Sequence, residues 1–368
     1  MTTESDEPGF DTEEGFGAGE VKAEQTRADV LHDDWKPLGE WPESRPAARR
    51  FLVSRREKGN RVGVLPLGKV GMVAGAGAAG KSWLTTQLAV AVAAGGEAAW
   101  VGLEVDTPGR VLLVLGEEEA EEASRRLHYI GHMLELTGAQ RKAAAERLVM
   151  LPMAGRDVAL TKGLDEMKDG ELPTTTLYGE LVRRLKAGGP WSLVVLDPLA
   201  RFAGEGTETD GTAGTRFVQA LEALVRVPGN PTVLVTHHTS QAARQEGAKG
   251  KSDAHLATAS RGHTSISDAV RWQAHLEAFA NYDGAPRIRS LQVAKNNYAP
   301  PSPLIDLTAP SDGHGALRKA TPEELDHWKK ADAKAKARAK AKAKAKDEGV
   351  PAPAKSEEAE PTPEELRA

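Results

Sequence analysis

The chain has 368 residues, with 48 Lys plus Arg against 53 Asp plus Glu, for a formal net charge of -5. At 40 % hydrophobic it can build a sizeable core, and its length allows one large domain or two smaller ones. It contains no cysteine, which excludes disulfide frameworks, thiolate zinc sites and cysteine nucleophiles. No run of about 18 apolar residues exists to span a membrane, and the acidic start Met1 to Glu7 has no signal-peptide regions, so a soluble cytoplasmic protein is expected.

The near-neutral balance hides two lopsided ends. Residues 1–20 hold seven acidic side chains and no basic one, whereas 329–346 hold nine basic and one acidic. A nucleic-acid partner is therefore not excluded by net charge.

In chain order, residues 1–48 read as an acidic, disordered arm, with Trp35 and Trp41 beside Pro37 and Pro42 as a short docking segment. A folded domain is expected over 49–315. Within it, Val70 to Gly75 reads as a strand entering a Gly-rich turn, and Ser82 to Ala94 as a helix. Arg110 to Leu115 is a continuous apolar run suited to a strand buried on both faces. Helices are expected from Glu119 to Met133, Leu177 to Lys186 and Arg216 to Val225. Strands are expected at Trp191 to Asp197 and Thr232 to Thr236. This alternation predicts an α/β fold, a mostly parallel sheet with helices on both faces. Gln241 to Thr264 lacks periodicity and reads as a functional loop. Ile266 to Phe279 is expected to be a helix, with strands at Arg287 to Lys295 and around Leu304 to Leu307. Residues 316–368 form a charged, largely disordered tail. Its near Ala-Lys alternation over 331–346 puts charge all round a helix, leaving no face to pack, and suits weak, salt-sensitive phosphate binding.

Gly75-Ala76-Gly77-Ala78-Ala79-Gly80-Lys81-Ser82 has the P-loop spacing, between an apolar strand and a helix. Its amides, with orphan N–H groups at the helix start, suit phosphate oxygens. Lys81 is expected at the β and γ phosphates and Ser82 on Mg²⁺; Gly75, Ala76, Gly77, Ala78, Ala79, Gly80, Lys81, Ser82 and Trp83 make up the expected ATP-binding stretch. Asp197, at the tip of an apolar strand, suits a metal-organising carboxylate. Glu117 and Glu118 follow another strand; one of them is expected to activate the attacking water, with Glu117 preferred. His237 and His238 end the next strand, where either one suits a γ-phosphate sensor; a metal site from the pair is the rival idea, disfavoured because Mg²⁺ prefers oxygen ligands.

With these stretches, the chain resembles the RepA-type hexameric replicative helicases, within the RecA/DnaB-like P-loop ATPases of the AAA kind. The resemblance spans about residues 50–310. It rests on 75–82, on Gly116-Glu117-Glu118 before Arg125-Arg126-Leu127, on Leu196 to Phe202, on Thr236 to Ser240, on Gly262 to Gln273 and on Lys295 to Tyr298. It implies a RecA-like core, ATP and Mg²⁺ as cofactors, and a homo-oligomeric ring of six subunits with sites between neighbours. Arg271 matches the arginine finger reaching the next subunit's nucleotide, with Lys295 a second such candidate. Loops 203–215 and 241–264 would line a channel in which Lys249, Lys251 and Arg261 track single-stranded DNA through phosphates. Glu118 stands where the family often has Asp. The implied activity is translocation and duplex unwinding, with replication initiator or other mobile-element proteins as further partners. The alternative is a non-helicase ATPase of the same fold acting as regulator or DNA remodeller in a mobile-element, recombination or defence system.

Overall fold

The computed structural model describes residues 41–163, 174–239, 265–309 and 314–347, together with Gly39. Residues 1–47 form a unit of their own, whose described part has no helix or strand. The second unit, 48–368, carries the fold. The acidic leader up to Leu38, the loop 241–264 with Lys249, Lys251 and Arg261, and the acidic end beyond Asp347 lie outside the described residues.

The domain opens with a feature the sequence reading lacked, a four-stranded antiparallel sheet in the order β2-β1-β5-β4. Its strands are β1 (Phe51–Glu57), β2 (Asn60–Pro66), β4 (Ala99–Trp100) and β5 (Leu103–Val105). Both hairpins turn on two residues with positive φ, Lys58-Gly59 and Val101-Gly102, the turn geometry that matches strand twist.

The main sheet has nine strands, in the order β13-β12-β11-β10-β3-β9-β8-β6-β7. Six of them run parallel: β10 (Trp272–Ala278), β3 (Val70–Gly75), β9 (Thr232–His238), β8 (Trp191–Asp197), β6 (Arg110–Leu115) and β7 (Leu148–Pro152). The remainder, β11 (Arg287–Asn296), β12 (Ile305–Ala309) and β13 (Arg318–Lys319), extend it antiparallel. The inner parallel strands are apolar throughout because alternate side chains enter two separate cores. Val111, Leu113, Leu115, Leu193, Val195 and Leu234 face one core; Leu112, Val114, Val194, Leu196, Val233 and Val235 face the other.

The first core is covered by α1 (Lys81–Ala94), α2 (Ala120–Met133) and α3 (Gly138–Arg147). α1 is buried along almost its whole length, because the small sheet covers it as well: Trp100 Nε1 donates to Leu84 O at 2.9 Å. The second core is covered by α4 (Thr176–Gly188), α5 (Leu199–Phe202), α6 (Gly211–Leu224) and α7 (Ser265–Ala269).

Two expectations need correction. The helix expected from Ile266 to Phe279 is instead the five-residue α7 followed by strand β10. Trp272, Ala274 and Leu276 alternate into the first core, but Gln273 and His275 are buried between them on the other face. The alternation Trp272-Gln273-Ala274-His275-Leu276-Glu277 is itself the period-two pattern of a strand, which a helical reading of the segment passes over. The boundary at 315 also falls inside the folded part. Ala316, Leu317 and Ala320 are buried, and Gln87 on α1 holds Leu317 by both backbone groups, at 2.8 and 2.7 Å.

Beyond β13, helix α8 (Pro322–Asp347) includes the Ala-Lys stretch. Its first turns dock: the Trp328 ring lies 5.2 Å from that of Phe279 and donates to Ala280 O, and Tyr282 donates to Asp332. Residues 211–215 of the expected loop 203–215 belong to α6, whose first turn is capped by Asp210. Among the described residues no helix is long and apolar enough to cross a membrane.

Candidate functional site

Because the central strands are parallel, their carboxyl ends share one edge of the sheet. Gly75 lies beside His238, Ala74 beside His237, and Leu115 beside Asp197. The turn 75–82, the Thr236–His238 segment, Asp197 and Glu117 therefore meet there, although they span more than 150 residues of sequence.

The loop after β3 turns with Ala78 at φ 60° and Gly80 at φ 100°. Gly75 has no room for a side chain, since a Cβ would strike the Leu276 carbonyl of β10. No side chain caps α1, and its first turn carries no acidic residue, so its leading amides stay available to an anion. Lys81 is 5 % exposed. Its Nζ donates to Gly75 O at 3.0 Å and Ala76 O at 2.9 Å and lies 3.3 Å from His238 Nδ1. Burial lowers its pKa from 10.5 to about 8, partly opposed by the charges of Asp197 and Glu117.

Asp197 is buried. Thr236 donates its hydroxyl to Asp197 Oδ1, while Oδ2 is enclosed without a hydrogen-bond partner. The unpaired carboxylate oxygen of Asp197 and the P-loop hydroxyl of Ser82 are oxygen donors of the kind Mg²⁺ favours, so the residues present fit that ion.

Glu117 and Glu118, adjacent in sequence, differ in setting. Glu118 is tied to Arg126 at 2.5 Å, and burial raises its pKa despite that partner. Arg126 also reaches Glu122 and lies over Trp83, 5.4 Å from the ring centroid. Trp83 packs in turn against Gly315, where any side chain would strike its indole, so its ring serves packing. Glu117 is half exposed and pairs with Arg201 at 3.2 Å.

The two histidines also part ways. Alternation along β9 puts His238 on the face of Thr236 and Asp197, and His237 on the other. His238 lies by Lys81, whereas buried His237 lies 3.5 Å from Glu208. Side chains on opposite faces of one strand cannot share a metal ion, which removes the rival idea.

Arg271 and Lys295 are not brought to this edge. The Arg271 amide donates to Val70 O at the start of β3, about 17 Å of strand away from Gly75, and its side chain is exposed. Lys295 donates to the carbonyls of Ser267 and Asp268 at 2.9 and 2.8 Å, closing the end of α7.

Three residues at or near the site were not singled out from the sequence. Thr236 is one. His275, next to Ala74 across the sheet, is buried with both ring nitrogens unpartnered, and burial and Lys81 lower its pKa to about 4. Arg289 donates from β11 to the P-loop carbonyl of Ala79. Thr236 was inferable from its offset to Asp197 in a parallel sheet; no sequence signal marks the other two.

A family model described as an AAA domain matches residues 43–244. That stretch includes the P-loop, Glu117, Glu118, Asp197 and both histidines; Arg271, His275, Arg289 and Lys295 lie beyond it. Among solved structures, the chain is similar to the crystal structure of the KaiC-like protein PH0186 from the hyperthermophilic archaeon Pyrococcus horikoshii OT3, with 13 % identity and a TM-score of 0.45, covering 75 % of this chain and 100 % of that one.

Proposed function

From the premise that the chain belongs to the AAA domain family of P-loop ATPases, we propose that it hydrolyses ATP with Mg²⁺ in a homo-oligomeric ring, six subunits being the expected number, and uses that turnover to move along single-stranded DNA and separate duplex. The observation that carries the catalytic part is one sheet edge holding buried Lys81, the half-free carboxylate of Asp197 and the exposed carboxylate of Glu117.

In this reading the loop amides and Lys81 hold the phosphates, and Ser82 and Asp197 hold Mg²⁺, which when bound offsets phosphate charge. Glu117 orients water for attack on the γ phosphorus and takes its proton as the bridging oxygen leaves with ADP. Glu118 is held closely by Arg126 at 2.5 Å, whereas Glu117 is half exposed, pairs with Arg201 at 3.2 Å and acts by its charge on Lys81, which favours Glu117 as the base. His238, beside Lys81, is the phosphate-sensing histidine; His237 is not.

The ring rests on Arg271. Five residues of strand separate it from its own P-loop edge, so it serves nucleotide only in a neighbouring subunit, where a guanidinium supplied in trans neutralises charge during transfer. The DNA part rests on the resemblance and on the nine basic residues of 329–346.

The test is ATP hydrolysis and strand displacement by wild type, Lys81→Ala and Arg271→Ala, with mass measured for each. ATPase stimulated by single-stranded DNA, unwinding lost in both variants and a ring retained in Arg271→Ala are expected. Hydrolysis without DNA stimulation or unwinding on any substrate moves the protein to the regulator or remodeller class. Full activity as a monomer removes the trans arginine.

A further inference from the structure

The peptide joining Ala79 to Gly80 is held from outside its own loop. The polar groups on either side of it bond locally, Ala79 N–H to Ala76 O at 3.2 Å and Gly80 O to Leu84 N–H at 2.9 Å, while Gly75 O at the head of the turn accepts from Thr239 N–H at 3.1 Å. The Ala79 carbonyl instead accepts from Arg289 Nε, at 2.7 Å, on a strand 210 residues away. That peptide is trans, so its carbonyl and N–H point in opposite directions. Fixing the carbonyl against β11 thereby fixes the direction of the Gly80 N–H. Gly80 has φ 100° and carries no side chain, the kind of position where a neighbouring peptide turns over at little cost unless something holds it.

The holder is costly for a packing residue. The Arg289 guanidinium is partly desolvated and lies near Arg287, both of which lower its pKa, and its Nη1 is enclosed without a partner. A cation placed so serves poorly as filler, but makes a strong charge-assisted bond to a carbonyl.

We propose that Arg289 is a positioning residue for phosphate capture: by clamping the Ala79 carbonyl it aims the Gly80 amide at the phosphates bound by the P-loop. This rests on the loop being an ATP site. It adds to that reading a residue outside the matched family stretch.

The experiment titrates a fluorescent ATP analogue into full-length wild type, Arg289→Met, Arg289→Gln, Arg289→Lys and the neighbouring Arg287→Met, with Lys81→Ala as the non-binding control. Arg289→Met is expected to raise Kd about tenfold, the loss of one such interaction, while kcat at saturating ATP falls less than about threefold. Arg289→Gln falls between, Arg289→Lys recovers most of the affinity, and Arg287→Met matches wild type. Melting temperatures without nucleotide separate binding from folding; if Arg289→Met does not fold, the ordering of Gln below Lys carries the test. Wild-type Kd in both Arg289→Gln and Arg289→Met, an equal loss in Arg287→Met, or a fall in kcat at unchanged Kd overturns the proposal while leaving the ATP site intact. No binding by wild type above the Lys81→Ala control overturns the ATP site and this inference together.

Discussion

Thr236 donates its hydroxyl to Oδ1 of Asp197 across two adjacent parallel strands, and the other oxygen of that buried carboxylate is left unpaired. The bond fixes the orientation of the carboxylate and engages one of its two oxygens. Thr236→Val keeps the shape and removes the donor. It is expected to raise the Mg²⁺ concentration giving half-maximal ATPase by about three- to tenfold, whereas Asp197→Asn abolishes turnover. An unchanged Mg²⁺ requirement in Thr236→Val would reduce Thr236 to a packing role.

Lys81 is held charged where burial disfavours charge. Its folded pKa is about 8 against an ordinary 10.5, so between those values the unfolded chain binds more protons and stability rises with pH. Below about pH 8 the cost is fully present. Lys81→Met is therefore expected to stabilise the nucleotide-free protein at neutral pH by on the order of 1–3 kcal/mol, with the gain shrinking towards pH 10.5, while ATP binding is lost. Urea unfolding at neutral pH and near the upper limit checks the sign.

Glu117 and Glu118 are separated by their partners. Glu117→Gln is expected to lower kcat about 100-fold or more with ATP affinity within threefold of wild type. Glu118→Gln removes a carboxylate already engaged by Arg126 and is expected to cost less than about tenfold in kcat. Single-turnover phosphate release ranks the two; the opposite ranking assigns the base to Glu118.

His237 and His238 are expected to report on different properties. His237→Ala empties a buried position beside Glu208 and should cost about 1–3 kcal/mol of unfolding free energy with little change in ATP affinity. His238→Ala should leave stability near wild type and lower the DNA-stimulated fraction of ATPase. Paired urea and ATPase measurements distinguish them.

Gln87 and Leu317 join the P-loop helix to the chain beyond residue 315. Gln87→Leu leaves two buried backbone groups of Leu317 unpaired and is expected to destabilise by about 2–4 kcal/mol. A chain ending at 315 also loses β13 and should unfold at lower urea still. Equal midpoints for full-length and shortened proteins would show that the 316–320 segment adds nothing to the fold.

The core strands were legible because each is an unbroken apolar run whose length and flanks leave little alternative. Val70–Gly75, Arg110–Leu115 and Trp191–Asp197 stand where the sequence puts them. The small sheet was not, because β4 and β5 have only two and three residues and the seven-residue β1 and β2 mix buried apolar positions with exposed Arg and Glu, paired as Arg56 with Glu104 and Arg61 with Asp106. β10 carried a local signal too, the alternation from Trp272 to Glu277; what that alternation does not reveal is that its polar face, with Gln273 and His275, is buried as well.

By itself the sequence determined the P-loop spacing, the carboxylates that follow β6 and end β8, and the lopsided charge of the two ends, since spacing and composition are properties of one stretch at a time. Only the tertiary structure decided which neighbours each member of an adjacent pair meets. Strand alternation puts His238 by Lys81 and His237 by Glu208, and Glu118 pairs with Arg126 while Glu117 pairs with Arg201. It also drew Arg289 against Ala79 and carried Arg271 away from its own site. These are contacts between strands far apart in sequence, fixed by register, and register exists only once the sheet has formed.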